Sequence, residues 1–525
     1  MAIKKIRIFP PIGIARLGNS QNGYFIGPET PGELIPPAGG YRDSDAAGFI
    51  KRQAARFHLF AYDENDNLTG EVTANDAEIT WTIHLANTKA ASEQFHPKSV
   101  LTPPLRNAAF GNRAQLRLDP GAVNVGGKNP DFADLALSKA RGTAKDILID
   151  QLFLDQQVRF LLGTVATDDQ GLLVVLGGHG ESKSPIGASL ADGDFADHDG
   201  WYDDVSDGSI DAVVKMNDGT VPIVVGAWVI VAPPKYAPGL RPIVTLYDTL
   251  EQSAVDRNLM QSRVSDPNFK PSFTNDVYPI LLRAGNMRWV YSNGNDQFSP
   301  FEFHKFINGI PPANRLVVFN RLAVPSPTAG NPGSGTGDMP RMWSDLFPKG
   351  PNGTVTRIQY EILRRWKDGN FVNDWNGSPG PATLTITPDG LTRSALEPCI
   401  GAAFYPGIEA SWKLRDEYAF VEPFRLDRSR MLPGDVSKQM SLPWQSDFLD
   451  CAVERGDAAN DLVWWPSQRP INVLTAATGN DYVAWARTGT PGSPEMTVDQ
   501  MVTDWYKLGF LQKLPTGRYE EVDRL

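Results

Sequence analysis

A chain of 525 residues with 41% hydrophobic and 21% charged positions can bury a large core, which excludes wholesale disorder. Against 50 basic residues stand 61 acidic ones, and the net charge of -11 repels nucleic-acid phosphates and anionic membrane faces. Two cysteines, Cys399 and Cys451, exclude a disulfide framework, and six scattered histidines lack metal-ligand spacing, so no metal site is expected.

The N-terminal segment MAIKKIRIFPPIGIARLG carries two lysines but no long apolar run, and Pro10 and Pro11 interrupt it. A secretory signal is therefore not expected, nor is a transmembrane helix, which needs ~20 consecutive apolar residues. The expected location is the cytoplasm, with any export by a non-classical route. Four apolar runs bounded by turn residues are predicted as strands: EITWTIHLA (78–86), GLLVVLGG (171–178), VPIVVGAWVIVAPP (221–234) and RPIVTLY (241–247). The 221–234 run reads as a buried strand or hairpin arm. The spacing of Ile358, Ile362 and Trp366 predicts a helix over 354–368, stopped by Gly369. A second helix is predicted over 496–511, with Val498, Met501 and Trp505 on one face. These elements predict a β-rich α+β fold of antiparallel sheets with inserted helices. The stretch PSPTAGNPGSGTGDMP (325–340) reads as a loop, either a domain boundary or a long excursion within one unit spanning 1–525.

The glycine-rich LGGHGESKSPIG (176–187) follows a predicted strand but has neither dinucleotide nor P-loop spacing, and a tight turn is expected. The acidic DGDFADHDGWYDDVSDGSID (192–211) fails EF-hand spacing. A solvated turn cluster is expected there, with Trp201 and Tyr202 turned inward and a non-EF calcium site as the alternative. No G-x-S-x-G elbow or H-E-x-x-H motif occurs. The most informative region is 434–470, which gathers Trp444, Trp464 and Trp465 around Cys451 and Asp447. Taken alone it reads as an aromatic core holding a buried thiol.

Six blocks, in order along the chain, carry a resemblance: PPIGIARLGNS (10–20), ITWTIHLANTKAA (79–91), DGWYDDVSDGS (199–209), CIGAAFYPGIEASW (399–412), PWQSDFLDC (443–451) and WWPSQRPINVLT (464–475). Together they resemble the LodA-like family of quinoprotein amino-acid oxidases, with the cofactor-bearing region at 395–475. The resemblance implies a cysteine tryptophylquinone, in which an oxidised tryptophan is joined by a thioether to a cysteine. Carried over, these are Trp465 and Cys451, with Trp464 the fallback for the tryptophan. Asp447 matches an aspartate needed for cofactor formation, and one helical turn puts it on the side of Cys451. Tyr202 and Tyr405 match substrate-channel positions, where they gate access, donate hydrogen bonds or simply pack. Two departures concern the substrate: the family's lysine oxidase has a cysteine at the position of Tyr405, and a long insert between its cross-linking residues. Here only thirteen residues separate Cys451 from Trp465.

The implied activity is oxidative deamination of an amino acid's primary amine, consuming dioxygen and releasing hydrogen peroxide and ammonia. Asp447, desolvated against Trp444 and Trp465, is the candidate proton-abstracting base. The resemblance also implies a flavoprotein partner for cofactor maturation and a homo-oligomer. Cys399 is expected to remain a buried free thiol. Competing readings are an inactive relative that binds without an oxidised tryptophan, and an oxidase of a peptide or protein amine. A carbohydrate-binding module, prompted by thirteen tryptophans, stands third and needs exposed aromatic platforms.

Overall fold

The structure is a computed structural model. It describes residues 3–32, 39–43, 48–95, 103–132, 139, 142–191, 196–290, 312–325, 354–377, 385–401, 409–410, 412–415, 418–450, 469–487 and 494–525. Of the predicted loop, only its first residue, Pro325, lies within that set.

Thirteen strands form one sheet. They are β1 (Lys5–Phe9), β2 (Ile12–Arg16), β3 (Tyr24–Ile26), β4 (Arg52–Tyr62), β5 (Leu68–Val72), β6 (Ala77–Ala86), β7 (Val123–Gly126), β8 (Ala144–Phe153), β9 (Gln156–Thr167) and β10 (Leu173–Gly177), then β13 (Ser206–Met216), β14 (Ile223–Val225) and β15 (Ala227–Ala232). The short β11 (Ser182–Lys183) and β12 (Tyr202–Asp203) pair separately. The main order is β7-β6-β13-β15-β2-β4-β10-β9-β8, with β1, β3 and β5 paired to β4 and β14 to β1. Most pairs are antiparallel, as expected, while β1–β14, β2–β15 and β3–β4 are parallel.

The predicted strand at 78–86 is β6. Its alternation puts Ile79, Trp81, Ile83 and Leu85 inward, and it pairs with β13 from Ala86–Asp207 to Ala77–Met216. The 171–178 run contains β10, and the 221–234 run holds both β14 and β15, divided at Gly226. Strands β2 and β15 are buried on both faces, the pattern of parallel neighbours covered from two sides. Ile12, Ile14, Trp228 and Ile230 meet Leu246, Leu250, Leu396 and Cys399 in a second core.

Helices accompany the sheet, and Pro388–Leu396 among them packs on β1 and β2. They are α1 (Leu246–Asp256), α2 (Tyr278–Asn286), α3 (Pro312–Asn320), α4 (Arg357–Lys367), α5 (Pro388–Leu396), α6 (Trp444–Asp450) and α7 (Val498–Asp504). α4 is the predicted 354–368 helix. Ile358, Ile362 and Trp366 are buried, a Thr356/Gln359 capping box starts it, and Gly369 at φ +79° ends it.

Two predicted elements are corrected. RPIVTLY is not a strand, because Thr245 caps α1: its hydroxyl accepts from the Asp248 amide (3.1 Å) while the Asp248 carboxylate accepts from the Thr245 amide (2.9 Å). Leu246 and Tyr247 thus belong to a first helical turn. The 496–511 helix stops early, passing through the turn Trp505–Lys507 into β16 (Phe510–Lys513), which pairs with β17 (Tyr519–Val522). Among the described residues no helix is long and apolar enough to cross a membrane.

Candidate active site

The region around α6 is built from residues far apart in sequence. Lys89 is fully buried, and its ammonium donates to the Asp203 carboxylate (2.7 Å) and to the Ser441 carbonyl (2.9 Å), just before α6. The same Asp203 oxygen accepts from the Trp444 amide at the head of the helix (3.0 Å), and its second oxygen accepts from Asn87 (2.8 Å). Arg106, also fully buried, joins Asp197 (2.7 Å) to the carbonyls of Lys438 (3.0 Å) and Met440 (2.8 Å). The chain approaching α6 is therefore held by cations from the 79–106 region, and both charges of each pair are compensated.

From the other side, Gln445 accepts from the Ser182 hydroxyl (2.6 Å) and donates to the Gly180 carbonyl (3.2 Å). Gly180 lies at φ +77°, and a side chain there would meet the Trp505 indole, so only glycine fits this approach. The glycine-rich 176–187 stretch, expected as a tight turn, runs from the end of β10 through an irregular segment and β11 into a turn at 185–186. Its Gly180 and Glu181 amides donate to the Asp204 carboxyl (2.7 and 3.0 Å).

The acidic stretch departs from its expectation as a solvated cluster. Asp197, Asp203, Asp204 and Asp207 are buried, and each is held by amides or side chains of other segments. Asp207 accepts from the Ser437 amide (2.8 Å), the Ser437 hydroxyl (2.6 Å) and the Trp228 indole (2.9 Å), and burial raises it to about 6. Burial, aided by the adjacent Asp203 charge, pushes Asp204 well above the usual carboxylate range. These carboxylates are structural joints, and no metal-holding cluster occurs among the described residues.

Tyr202 turns inward as expected. It stacks on Phe160 (4.6 Å between ring centres), meets Phe153 edge-on, and its hydroxyl donates to the exposed Glu181 carboxylate (3.2 Å). Burial, followed by that carboxylate, raises the phenol above its ordinary range.

Asp447 lies one turn into α6, its side chain 15% exposed. Its carboxylate meets the buried Arg469 guanidinium at 2.9 Å, and the same guanidinium donates to the Asp447 carbonyl. The sequence predicts aromatic desolvation alone at Asp447, and the structure adds this arginine. Trp444 packs edge-on to Phe448 and Trp505, and its buried indole N–H meets no acceptor among the described residues. Cys451, Trp464, Trp465 and Tyr405 lie outside the described residues. Cys399 is the expected buried thiol, pushed up to about 12 by burial.

Sequence reasoning did not single out Lys89, Arg106, Asp203, Gln445 or Arg469. Four of them, all but Arg106, lie within the quoted blocks, and the available signal was a charged or amide side chain amid small or apolar neighbours.

Comparison with known proteins settles the family. Residues 9–231 match the family described as L-lysine epsilon oxidase N-terminal, and residues 338–470 match the L-lysine epsilon oxidase C-terminal domain. The chain belongs to the LodA-like quinoprotein amino-acid oxidase family. L-lysine 6-oxidase from Marinomonas mediterranea is 26% identical over 567 aligned residues, covering 91% of this chain and 75% of that protein. The crystal structure of the L-Lys epsilon-oxidase from the same organism superposes with a TM-score of 0.75 at 22% identity, over 99% of this chain and 94% of that one. A structure of the Schiff base intermediate of that oxidase with L-Lys gives 0.74 at 21% identity, over 99% and 95%. The β-rich α+β architecture is thus the LodA-like fold.

Proposed function

We propose that this chain is an amine oxidase acting on a primary amine of an amino acid, through a cysteine tryptophylquinone made from Cys451 and Trp465. The observation that carries the reading is the Asp447–Arg469 ion pair. Asp447 stands four residues before Cys451 and Arg469 four residues after Trp465, so this contact ties together the segments flanking the two cross-linking positions. The donor chemistry fits a quinone, since Arg469 and the Trp444 indole N–H are both donors and ring carbonyls are acceptors.

When formed, the quinone supplies an electrophilic carbonyl and an electron sink that dioxygen restores, with hydrogen peroxide and ammonia as products. The protein's part is positional and acid–base. Asp447 accepts protons, first from the tryptophan ring during maturation and then from the amine-bearing carbon of the substrate. Arg469 holds that carboxylate in one orientation. The Lys89–Asp203–Trp444 joint fixes the start of α6, and with it the position of Asp447. Tyr202 and Tyr405 line the substrate's path. Glu181 beside the Tyr202 hydroxyl sets a negative charge there and favours an ammonium-bearing substrate, so L-lysine, the substrate in the relative's name, is the first to screen. A flavoprotein assists maturation, and the enzyme assembles as a homo-oligomer.

Peptide mass mapping of protein co-produced with its flavoprotein neighbour tests the reading. The peptides bearing Cys451 and Trp465 are expected to travel together, with two oxygens gained and four hydrogens lost. Separate, unmodified peptides would instead make the chain an inactive relative.

A further inference from the structure

A cavity lies between the sheet and α5. It encloses about 1000 Å³ including its open mouth, with apolar walls from Ile14, Leu17, Phe25, Tyr41, Leu391 and Phe510. None of Tyr202, Trp444, Asp447 or Arg469 lines it.

Its polar wall is lopsided. Arg16, Lys51, Arg56, Lys235 and Arg241 contribute cationic groups, and Glu29 is the one acidic residue among them. Three of the cations already hold carboxylates: Arg16 pairs with Glu409 (2.9 Å), Arg56 with Glu29 and Asp168, and Arg241 with Glu397 (2.6 Å). Lys235 differs. It is 8% exposed, its ammonium donates to the Pro398 carbonyl (2.8 Å), and no described carboxylate pairs with it. An ammonium has three donors, and a buried charge without a counter-charge is costly. Apolar walls with a few convergent polar groups are the usual make-up of a small-molecule site.

We propose that this cavity binds a small monocarboxylate with an apolar body, its carboxylate received by Lys235 beside Arg16 and Arg241. A neutral ligand leaves the Lys235 charge uncompensated. A zwitterion brings a second ammonium among like charges, and a phosphate has no apolar body for the walls. Burial, then Arg16 and Arg241, depress Lys235 to about 7, against the opposing pull of Cys399 and Glu409. Carboxylate affinity therefore falls as pH rises through that value, because the ammonium is lost. This inference is independent of the oxidase reading.

Calorimetric titration of the full chain with hexanoate and benzoate, and with hexanamide and benzamide as neutral isosteres, tests it. Both acids are expected to saturate a single site, binding about ten-fold or more tighter than the amides and weakening about ten-fold or more from pH ~6 to pH ~9. Lys235→Gln, its fold checked by circular dichroism, is expected to bind the acids as weakly as the amides. Should that variant not fold, reductive methylation of the wild type with peptide mapping decides: hexanoate must slow labelling of Lys235 and leave the exposed Lys145 unchanged. Equal binding of acids and amides, no saturation, undiminished acid binding by Lys235→Gln, or an unprotected Lys235 would each overturn the proposal.

Discussion

Lys89 and Asp203 form a buried ion pair with no exposed edge, so each charge depends on the other. Lys89→Met leaves Asp203 uncompensated and is expected to cost about 3–5 kcal/mol by urea unfolding, with Asp203→Asn added to it recovering part of the loss. Asp447→Asn is expected to leave the fold in place and abolish the cross-link, read by the same peptide mapping. Normal quinone content with near-normal turnover would move the base elsewhere. His58 offers a pH test. Burial pulls it down, but hydrogen bonds to Glu29 (2.8 Å) and Glu71 (2.6 Å) and their charges outweigh burial and raise it. A histidine raised on folding stabilises the native state below its unfolded value of ~6.5, and that contribution is lost as pH rises through the folded value. The Tm advantage of wild type over His58→Gln should accordingly shrink between pH ~6 and pH ~9. None of these pairings is legible in the sequence. A run of aspartates reads locally as a turn, and partners distant in the chain, Lys89, Arg106, Gly180 and Ser437 among them, make its carboxylates interior ones.

At the scale of elements, local patterns sufficed where local forces decide. β6 has alternation and α4 has both a face and a stop, and each was read within a few residues of its bounds. RPIVTLY has the apolar content of a strand, and the Thr245–Asp248 cap makes its end a helix start instead. The C-terminal helix was overextended because Phe510 and Leu511 are buried equally well as strand residues of a hairpin with Tyr519–Val522. Thr356→Ala removes the side-chain half of the α4 capping box and should lower stability by about 1 kcal/mol in chemical denaturation. Gln445→Leu breaks the links from α6 to Ser182 and Gly180 and should cost about 1–3 kcal/mol, while lowering the fraction of chains cross-linked at maturation.

Across the whole molecule, the C-terminal segments close over the N-terminal sheet. Arg425 donates to the carbonyls of Ile8 and Gly226, Thr88 to Gly434 (2.8 Å), and Arg42 to Tyr506 (2.7 Å) and Leu508 (2.8 Å). A fragment ending near residue 240 would keep the Lys89–Asp203 and Arg106–Asp197 pairs but strip Lys89, Arg106 and Asp207 of the Ser441, Lys438, Met440 and Ser437 partners that bury them. It is expected to be aggregated or loosely folded alone and to recover native near-ultraviolet dichroism when co-expressed with the remainder. A soluble, cooperatively unfolding fragment would instead support a domain boundary. The six blocks made the family legible, yet not this closure, which depends on contacts spanning hundreds of residues.

The burial of Cys399 has a practical consequence. Its thiol is shut behind Arg16 and α5 and pushed up to about 12, so any sulfhydryl that reacts in the folded protein at neutral pH is not Cys399. With two cysteines in the chain and Cys451 cross-linked as proposed, unfolded protein should consume two equivalents of a disulfide reagent before maturation and one afterwards. A colorimetric sulfhydryl assay then reports what fraction of a preparation carries the cross-link, with Cys399 as the internal standard.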